Sequence, residues 1–279
     1  ALDNKKEKSQ QINLMDNETA IRMVQQYLNI NPNANKTSPI QRHIKPDTTA
    51  SKYNVVIVLM ESMSAANLSR NGNTDGLAPN LDELANKSYY FNNFYSAGIH
   101  TFNGIFSSLY GYPALLNQHP MRSTLMNTYS GISHALSDND YYTMFFITHD
   151  GQFDNAEGFL YNNGFNRVYS QKDYPANEVL STLGVPDHYL FDFSIETMNN
   201  AYKNGKPFLS VILTASNHKP VIIPKNIDFT PRSTDKNNHI NEYADWAVGK
   251  FIKDASQSEW FDNTIFIFTG DHGSMVNKS

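Results

Sequence analysis

Four apolar runs constrain what this chain can fold into: NVVIVLM at 54–60, YYTMFFI at 141–147, PFLSVILT at 207–214 and TIFIFT at 264–269. They are near-continuous rather than alternating. A strand with one wet face alternates, whereas a strand buried on both faces does not. Stretches with helical periodicity separate them. These are 78–88 (with Pro79 in its first turn), 131–140, 187–205 with Gly205 as its stop, and the long 239–260. Strands alternating with helices predict an α/β fold: a mostly parallel central sheet with helices on both faces. No internal repeat is visible.

Residues 1–52 have a different texture. They are polar, with one short helical pattern at 17–29 (NETAIRMVQQYLN), capped by Asn17, and an irregular stretch at 31–39. They read as an N-terminal arm or linker, with the principal domain at 53–279.

Bulk properties narrow the function. The net charge of −5 gives no basic field to hold nucleic acid. With no cysteine in the 279 residues, disulfides, thiolate metal sites and a Cys nucleophile are excluded together. That also suits an extracytoplasmic protein. No apolar run approaches the roughly 18 residues of a membrane span.

Polar groups follow each predicted strand. Glu61 and Ser62 follow the first, His149 and Asp150 the second, Asn217 and His218 the third, and Asp271 and His272 the fourth. Ligands of open α/β sheets bind outside the carboxyl ends of the strands. The fold alone therefore brings Glu61, His149, His218, Asp271 and His272 to one edge. Taken singly, each is as easily a solvated loop residue. The adjacent Asp271–His272 pair suits a borderline divalent metal, and the flanking Gly270 and Gly273 permit a sharp turn or close approach. Thr101, ahead of the helical FNGIFSSLYG, is the candidate nucleophile. A hydroxyl at a helix N-terminus meets backbone N–H groups and the positive dipole end, a setting for a phosphoryl group. The plain alternative is that Thr101 only caps that helix. The tyrosines of SYYFNNFY (88–95) read as core and helix packing, and Trp246 as buried.

NVVIVLMES, APNLDELANKSYYFNNFYSAG, HTFNGIFSSLYGYP, SNHKP and FTGDHG occur in that order. Together they resemble the sulfatase-like alkaline phosphatase superfamily. Within it they resemble the lipoteichoic acid synthase and phosphoglycerol transferase branch, with lipid A phosphoethanolamine transferases as relatives. The match runs from Asn54 to Gly273. The resemblance implies that Glu61, Asp271 and His272 are metal ligands, that Thr101 is both ligand and nucleophile, and that His218 lies beside the substrate phosphate. It places His149 ahead of a head-group pocket. The expected cofactor is one divalent ion: Mn2+ first, with Zn2+ or Mg2+ as alternatives.

The chain departs from patterns of true sulfatases in one place and from those of the branch and family in two. No Cys or Ser stands in a formylglycine motif, which disfavours sulfate-ester hydrolysis by that route. The stretch comparable to FWNR is QFDNAEGF at 152–159. It keeps Phe153 and Asn155 but has Asp154 and Ala156 where an aromatic and a guanidinium are expected. Asp154 and Asn155 are the substrate-binding candidates there. Family members also continue beyond DHG, so a catalytic domain lacking its C-terminal part is expected.

The implied activity is transfer of a phosphoglycerol-type or phosphoethanolamine head group, through a phosphothreonine. The donor would be a phospholipid and the acceptor a glycolipid, polymer or glycan hydroxyl. The resemblance implies an extracytoplasmic location, with membrane contact through an N-terminal segment absent from this chain. Two alternatives stay open: a phosphodiesterase, phosphatase or sulfatase-like hydrolase using water, and a non-catalytic binding domain on the same fold.

Overall fold

A computed structural model describes residues 15–31, 38–42, 51–113, 119–122 and 126–274. Most of the irregular stretch expected at 31–39, and the last residues of the chain, lie outside these. The chain divides into two compact units, 1–51 and 52–279.

The first unit holds helix α1, Asn17–Tyr27. Its cap is Asp16, not the expected Asn17. Asp16 Oδ1 accepts the Thr19 N–H at 2.8 Å and its Oδ2 accepts the Thr19 hydroxyl at 2.8 Å. A carboxylate at this position also favours the positive helix end.

The second unit is built on a five-stranded sheet. In chain order its elements are β1 (Asn54–Met60), α2 (Pro79–Asn86), α3 (Thr101–Tyr110), α4 (Ile132–Ser137), β2 (Tyr142–Ile147), α5 (Ala156–Asn162), β3 (Arg167–Tyr169), α6 (Asp187–Lys203), β4 (Phe208–Leu213), α7 (His239–Ala255) and β5 (Thr264–Gly270). The spatial order is β3-β2-β4-β1-β5, and every pair is parallel.

Side chains of a strand alternate between faces, and here both faces are apolar. Val56, Val58, Met144, Phe146, Phe208 and Ile212 pack under α2, α6 and α7. Ile57, Leu59, Phe145, Ile147, Leu209 and Val211 pack under α3 and α5. This double burial is why the runs in the sequence do not alternate.

The structure amends the sequence reading in several places. Helix α5 and the three-residue β3 were not anticipated. Strand β5 is an edge strand with one covered face. Phe266 and Phe268 pack on the core, while Ile265 is 48% and Ile267 42% exposed. The aromatic stretch after α2 is not core, because that helix stops at Asn86. Tyr89 is 98% and Tyr95 80% exposed, and only Tyr90 packs inward. Trp246 is half-buried, against His188, Phe229 and Tyr243.

Candidate metal and nucleophile site

The register of the sheet builds the site. Met60 of β1 is paired with Gly270 of β5. The next residue on each strand is an acid, so Glu61 and Asp271 emerge side by side. Leu213 of β4 is paired with both Leu59 and Ile147. Thr214 and Thr148 therefore emerge at the same edge.

Backbone donors fix the two acids. Glu61 N–H donates to Thr214 Oγ1 at 3.0 Å. Asp271 N–H donates to Met60 O at 3.2 Å. Asp271 Oδ1 accepts from Ser62 N at 3.0 Å and His272 N at 2.6 Å. Ser62 adopts the left-handed region (φ 52°), which turns the chain after Glu61. Of the flanking glycines, Gly270 is required by space: a Cβ there would stand 2.4 Å from Met63 O. At Gly273 a Cβ would meet nothing within 4 Å. A third glycine, Gly104, lets α3 approach, since a Cβ there would lie 2.6 Å from Asp271 O.

The Thr101 hydroxyl donates to Glu61 Oε2 at 3.1 Å. Thr101 is the first residue of α3, with His100 in the cap position. Its hydroxyl thus serves Glu61 instead of capping the helix. Ser62 Oγ donates to Glu61 Oε1 at 2.7 Å. His272 Nε2 lies 3.4 Å from Glu61 Oε1 and 3.6 Å from Asp271 Oδ2.

Electrostatics mark the cluster as short of positive charge. Burial and the charge of Glu61 push the Asp271 carboxyl up to about 7. Burial also pushes Glu61 upward, but hydrogen bonds from His272 and Ser62 outweigh it and its pKa falls below the ordinary value. Its hydrogen bond to Glu61 raises His272 to about 9. Asp271 Oδ2 is buried without a hydrogen-bond partner. An acid left this way calls for a cation.

A divalent ion fits. Ligand atoms of Glu61, Asp271 and His272 all lie within 4.8 Å of one another. Two carboxylates, an imidazole and the nearby Thr101 hydroxyl form an oxygen-rich donor set for a hard or borderline ion.

The other candidates surround this centre. His218 and His149 are close enough for their charges to act on, or respond to, Glu61. His218 is exposed, with Nδ1 2.6 Å from Lys219 O. His149 Nδ1 lies 3.0 Å from Asp150 O, and its ring meets Phe153. Burial lowers its pKa, favouring neutral imidazole. Asp154 and Asn155 both take left-handed backbone, φ 56° and 54°.

Both side chains are engaged within the protein. Asp154 bonds His119 Nε2 at 3.2 Å and pairs with Arg122. Asn155 Nδ2 donates to Met121 O at 3.0 Å. His119 stacks on Phe102, the residue after Thr101, with ring centroids 3.8 Å apart. Sequence reasoning missed His119 and Arg122, which lie in no periodic segment. Their signal is a guanidinium at another position once Ala156 replaces the expected one.

A carboxylate–imidazole centre with a helix-start hydroxyl, at the carboxyl ends of a parallel sheet, defines a metal-competent α/β protein. The pattern that defines the sulfatase family matches residues 53–279, and the chain belongs to that family. The lipoteichoic acid synthase-like YvgJ of Bacillus subtilis is 25% identical over 82% of this chain and 39% of its own length. Phosphoglycerol transferase I of Xanthomonas campestris is 25% identical over 72% of this chain and 31% of its own.

Among solved structures, an alkaline phosphatase superfamily protein from Vibrio parahaemolyticus superposes with a TM-score of 0.85 at 28% identity. That match covers 95% of this chain and 65% of the other. Lipoteichoic acid synthase LtaP of Listeria monocytogenes gives 0.72 at 26%, covering 82% and 58%. The chain spans about two fifths or less of the length of these curated relatives. The alkaline phosphatase-like branch inferred from the motifs, and the parallel α/β architecture, are thereby established.

Proposed function

We propose that residues 53–279 form a catalytic domain that transfers a phosphoglycerol-type head group from a phospholipid to an acceptor hydroxyl. The observation that carries this is the Thr101 hydroxyl, 3.1 Å from Glu61 Oε2 at the start of α3. A hydroxyl so held has its lone pairs presented beside a carboxylate–imidazole cluster.

The residues divide the work. Glu61, Asp271, His272 and Thr101 Oγ1 would hold one divalent ion, Mn2+ by the donor set. When bound, the ion supplies Lewis acidity and offsets the negative charge of both the acids and the phosphodiester. Thr101 Oγ attacks phosphorus as its proton passes to Glu61 Oε2, the acceptor it already faces at 3.1 Å. The P–O bond to the diacylglycerol breaks as the P–O bond to Thr101 forms. His218 donates a proton to the departing alkoxide. The phosphothreonine is then attacked by a hydroxyl of a glycolipid, polymer or glycan, whose proton passes to the now neutral His218, while Thr101 Oγ leaves phosphorus and takes back the proton held by Glu61. His149, Phe153 and the Asp154–Arg122–His119 group would bind the head group, with Asn155 shaping the turn that carries them. The names of the relatives, lipoteichoic acid synthase and phosphoglycerol transferase, support the head-group assignment. Action at the extracytoplasmic face is part of the same proposal.

The test is incubation of phosphatidylglycerol, labelled in its head group, with a glycolipid acceptor. Labelled acceptor is expected from the unmodified protein and none from Thr101→Ala. Label released only as free glycerol phosphate would assign a hydrolase, and equal turnover by Thr101→Ala would overturn the nucleophile.

A further inference from the structure

Asp187 is a fully buried acid, 1% exposed, with no part in the chemistry above. It opens α6, yet its carboxylate serves another segment. Asp187 Oδ1 accepts the N–H of Ala215 and the N–H of Ser216, each at 3.0 Å. In return the Asp187 N–H donates to Ser216 Oγ at 3.1 Å. The clamp is therefore reciprocal, from a helix start to the turn that leaves β4.

That turn carries Asn217 and His218. His218 N–H closes it by donating to Ala215 O at 3.1 Å. Asn217 Nδ2 ties its far side to Ser62 O at 3.3 Å and Asn241 Oδ1 at 3.2 Å. Ser62 adjoins Glu61, so the turn is held between α6 and the metal-competent cluster. The His218 imidazole is exposed and lies 2.6 Å, through Nδ1, from the neighbouring Lys219 carbonyl. The backbone, not packing, sets where the imidazole stands. Burying a carboxylate is costly unless its hydrogen bonds compensate, and desolvation indeed pushes the Asp187 pKa up. Both N–H bonds to its Oδ1 come from the turn ahead of His218.

We propose that Asp187 is a positioning residue whose clamp on Ala215 and Ser216 sets His218 to protonate the leaving alkoxide. The inference rests on the phosphotransfer reading given above. An oxygen shell that orients a reacting group is worth on the order of 10–100-fold when removed.

A pair of glycerophosphodiesters differing only in leaving group tests this. One releases p-nitrophenolate, which departs without a proton. The other releases an alkyl alcohol, which requires one. Asp187→Ala is expected to lower kcat/KM, which reports formation of the phosphothreonine alone, by roughly 10–100-fold on the alkyl ester and by less than about twofold on the aryl ester. His218→Ala should show the same split. The double variant should be no slower than His218→Ala alone, because both act through one group. Asp187→Asn, which keeps an acceptor oxygen, should restore the alkyl ester rate to within about threefold of the unmodified protein. If the Ala variant does not fold, Asp187→Ser replaces it, its side chain being too short to reach both N–H groups.

Equal losses on the two esters, additive losses in the double variant, or an Asn variant as slow as the Ala one would overturn the inference. Thr101→Ala separates the two readings. If it retains full turnover, the phosphotransfer reading fails. If it is inactive while Asp187→Ala treats both esters alike, only the role of Asp187 fails.

Discussion

Glu61 Oε2 and Thr101 Oγ1 lie 3.1 Å apart, although 40 positions separate them in sequence. One residue directly follows strand β1 and the other begins α3. The contact depends on close approach of α3 to the end of β5, where Asp271 stands. Gly104 is the residue that allows it.

Gly104→Ala should therefore disturb the site, and Gly273→Ala should not. At Gly104 an added Cβ would meet the Asp271 backbone, at 2.6 Å from O and 2.8 Å from Cα. Backbone cannot move aside as a flexible side chain can. Overpacking of this kind costs about 1–3 kcal/mol. A melting temperature several degrees lower and a large loss of activity are expected for Gly104→Ala. For Gly273→Ala, with nothing within 4 Å, both should stay near the starting values. Similar behaviour of the two variants in differential scanning calorimetry would contradict the packing.

Metal addition should stabilise the fold. The buried Asp271 Oδ2 has no hydrogen-bond partner, and its carboxyl is held up to about 7 by burial and by Glu61. A ligand at about 100 times its Kd contributes about 2.7 kcal/mol, or about 5–10 °C of Tm for a unit of this size. Mn2+ should raise Tm by that order and EDTA should reverse it. Asp271→Asn should abolish the shift. An identical Mn2+ shift in Asp271→Asn would place the ion elsewhere.

His188 gives a pH signature away from the site. Burial lowers its pKa below the ordinary value, and Tyr243 Oη lies 2.7 Å from its Nδ1. As pH falls from the unfolded value near 6.5 toward the lower folded one, the unfolded chain binds more protons than the folded one. Stability is then lost on acidification. Between pH 7.5 and 5.5, His188→Asn should lose less Tm than the unmodified protein. An equal or steeper loss in the variant would contradict the assignment.

Much of the fold was legible because the core strands are apolar on both faces. Val56 and Ile57 point to opposite layers, and both are buried. The missing elements were short. β3 has three residues, too few to show any period. β5 was expected to be buried throughout, yet Ile265 and Ile267 are half open because only its Phe266 and Phe268 face packs on the core. Tyr89 and Tyr95 misled in the same way, since hydrophobicity alone does not reveal what covers a side chain.

The metal-competent trio was legible from position, as the residues after two parallel strands. Pairing of Met60 with Gly270 turns that position into contact. His119, Arg122 and Asp187 were not legible. Each bonds to a tertiary partner that no local pattern announces: Asp154 for the first two and the Ala215–Ser216 backbone for the third.

The central claim is that Thr101 carries the head group between donor and acceptor. Rapid quenching of the Mn2+-loaded protein with phosphatidylglycerol, without acceptor, followed by peptide mass spectrometry, addresses it directly. A phosphoglycerol adduct on Thr101 Oγ that forms at least as fast as turnover and is discharged by added acceptor is the predicted result. An active protein whose Thr101 is never modified, or an adduct on another residue formed at the rate of turnover, would contradict the account.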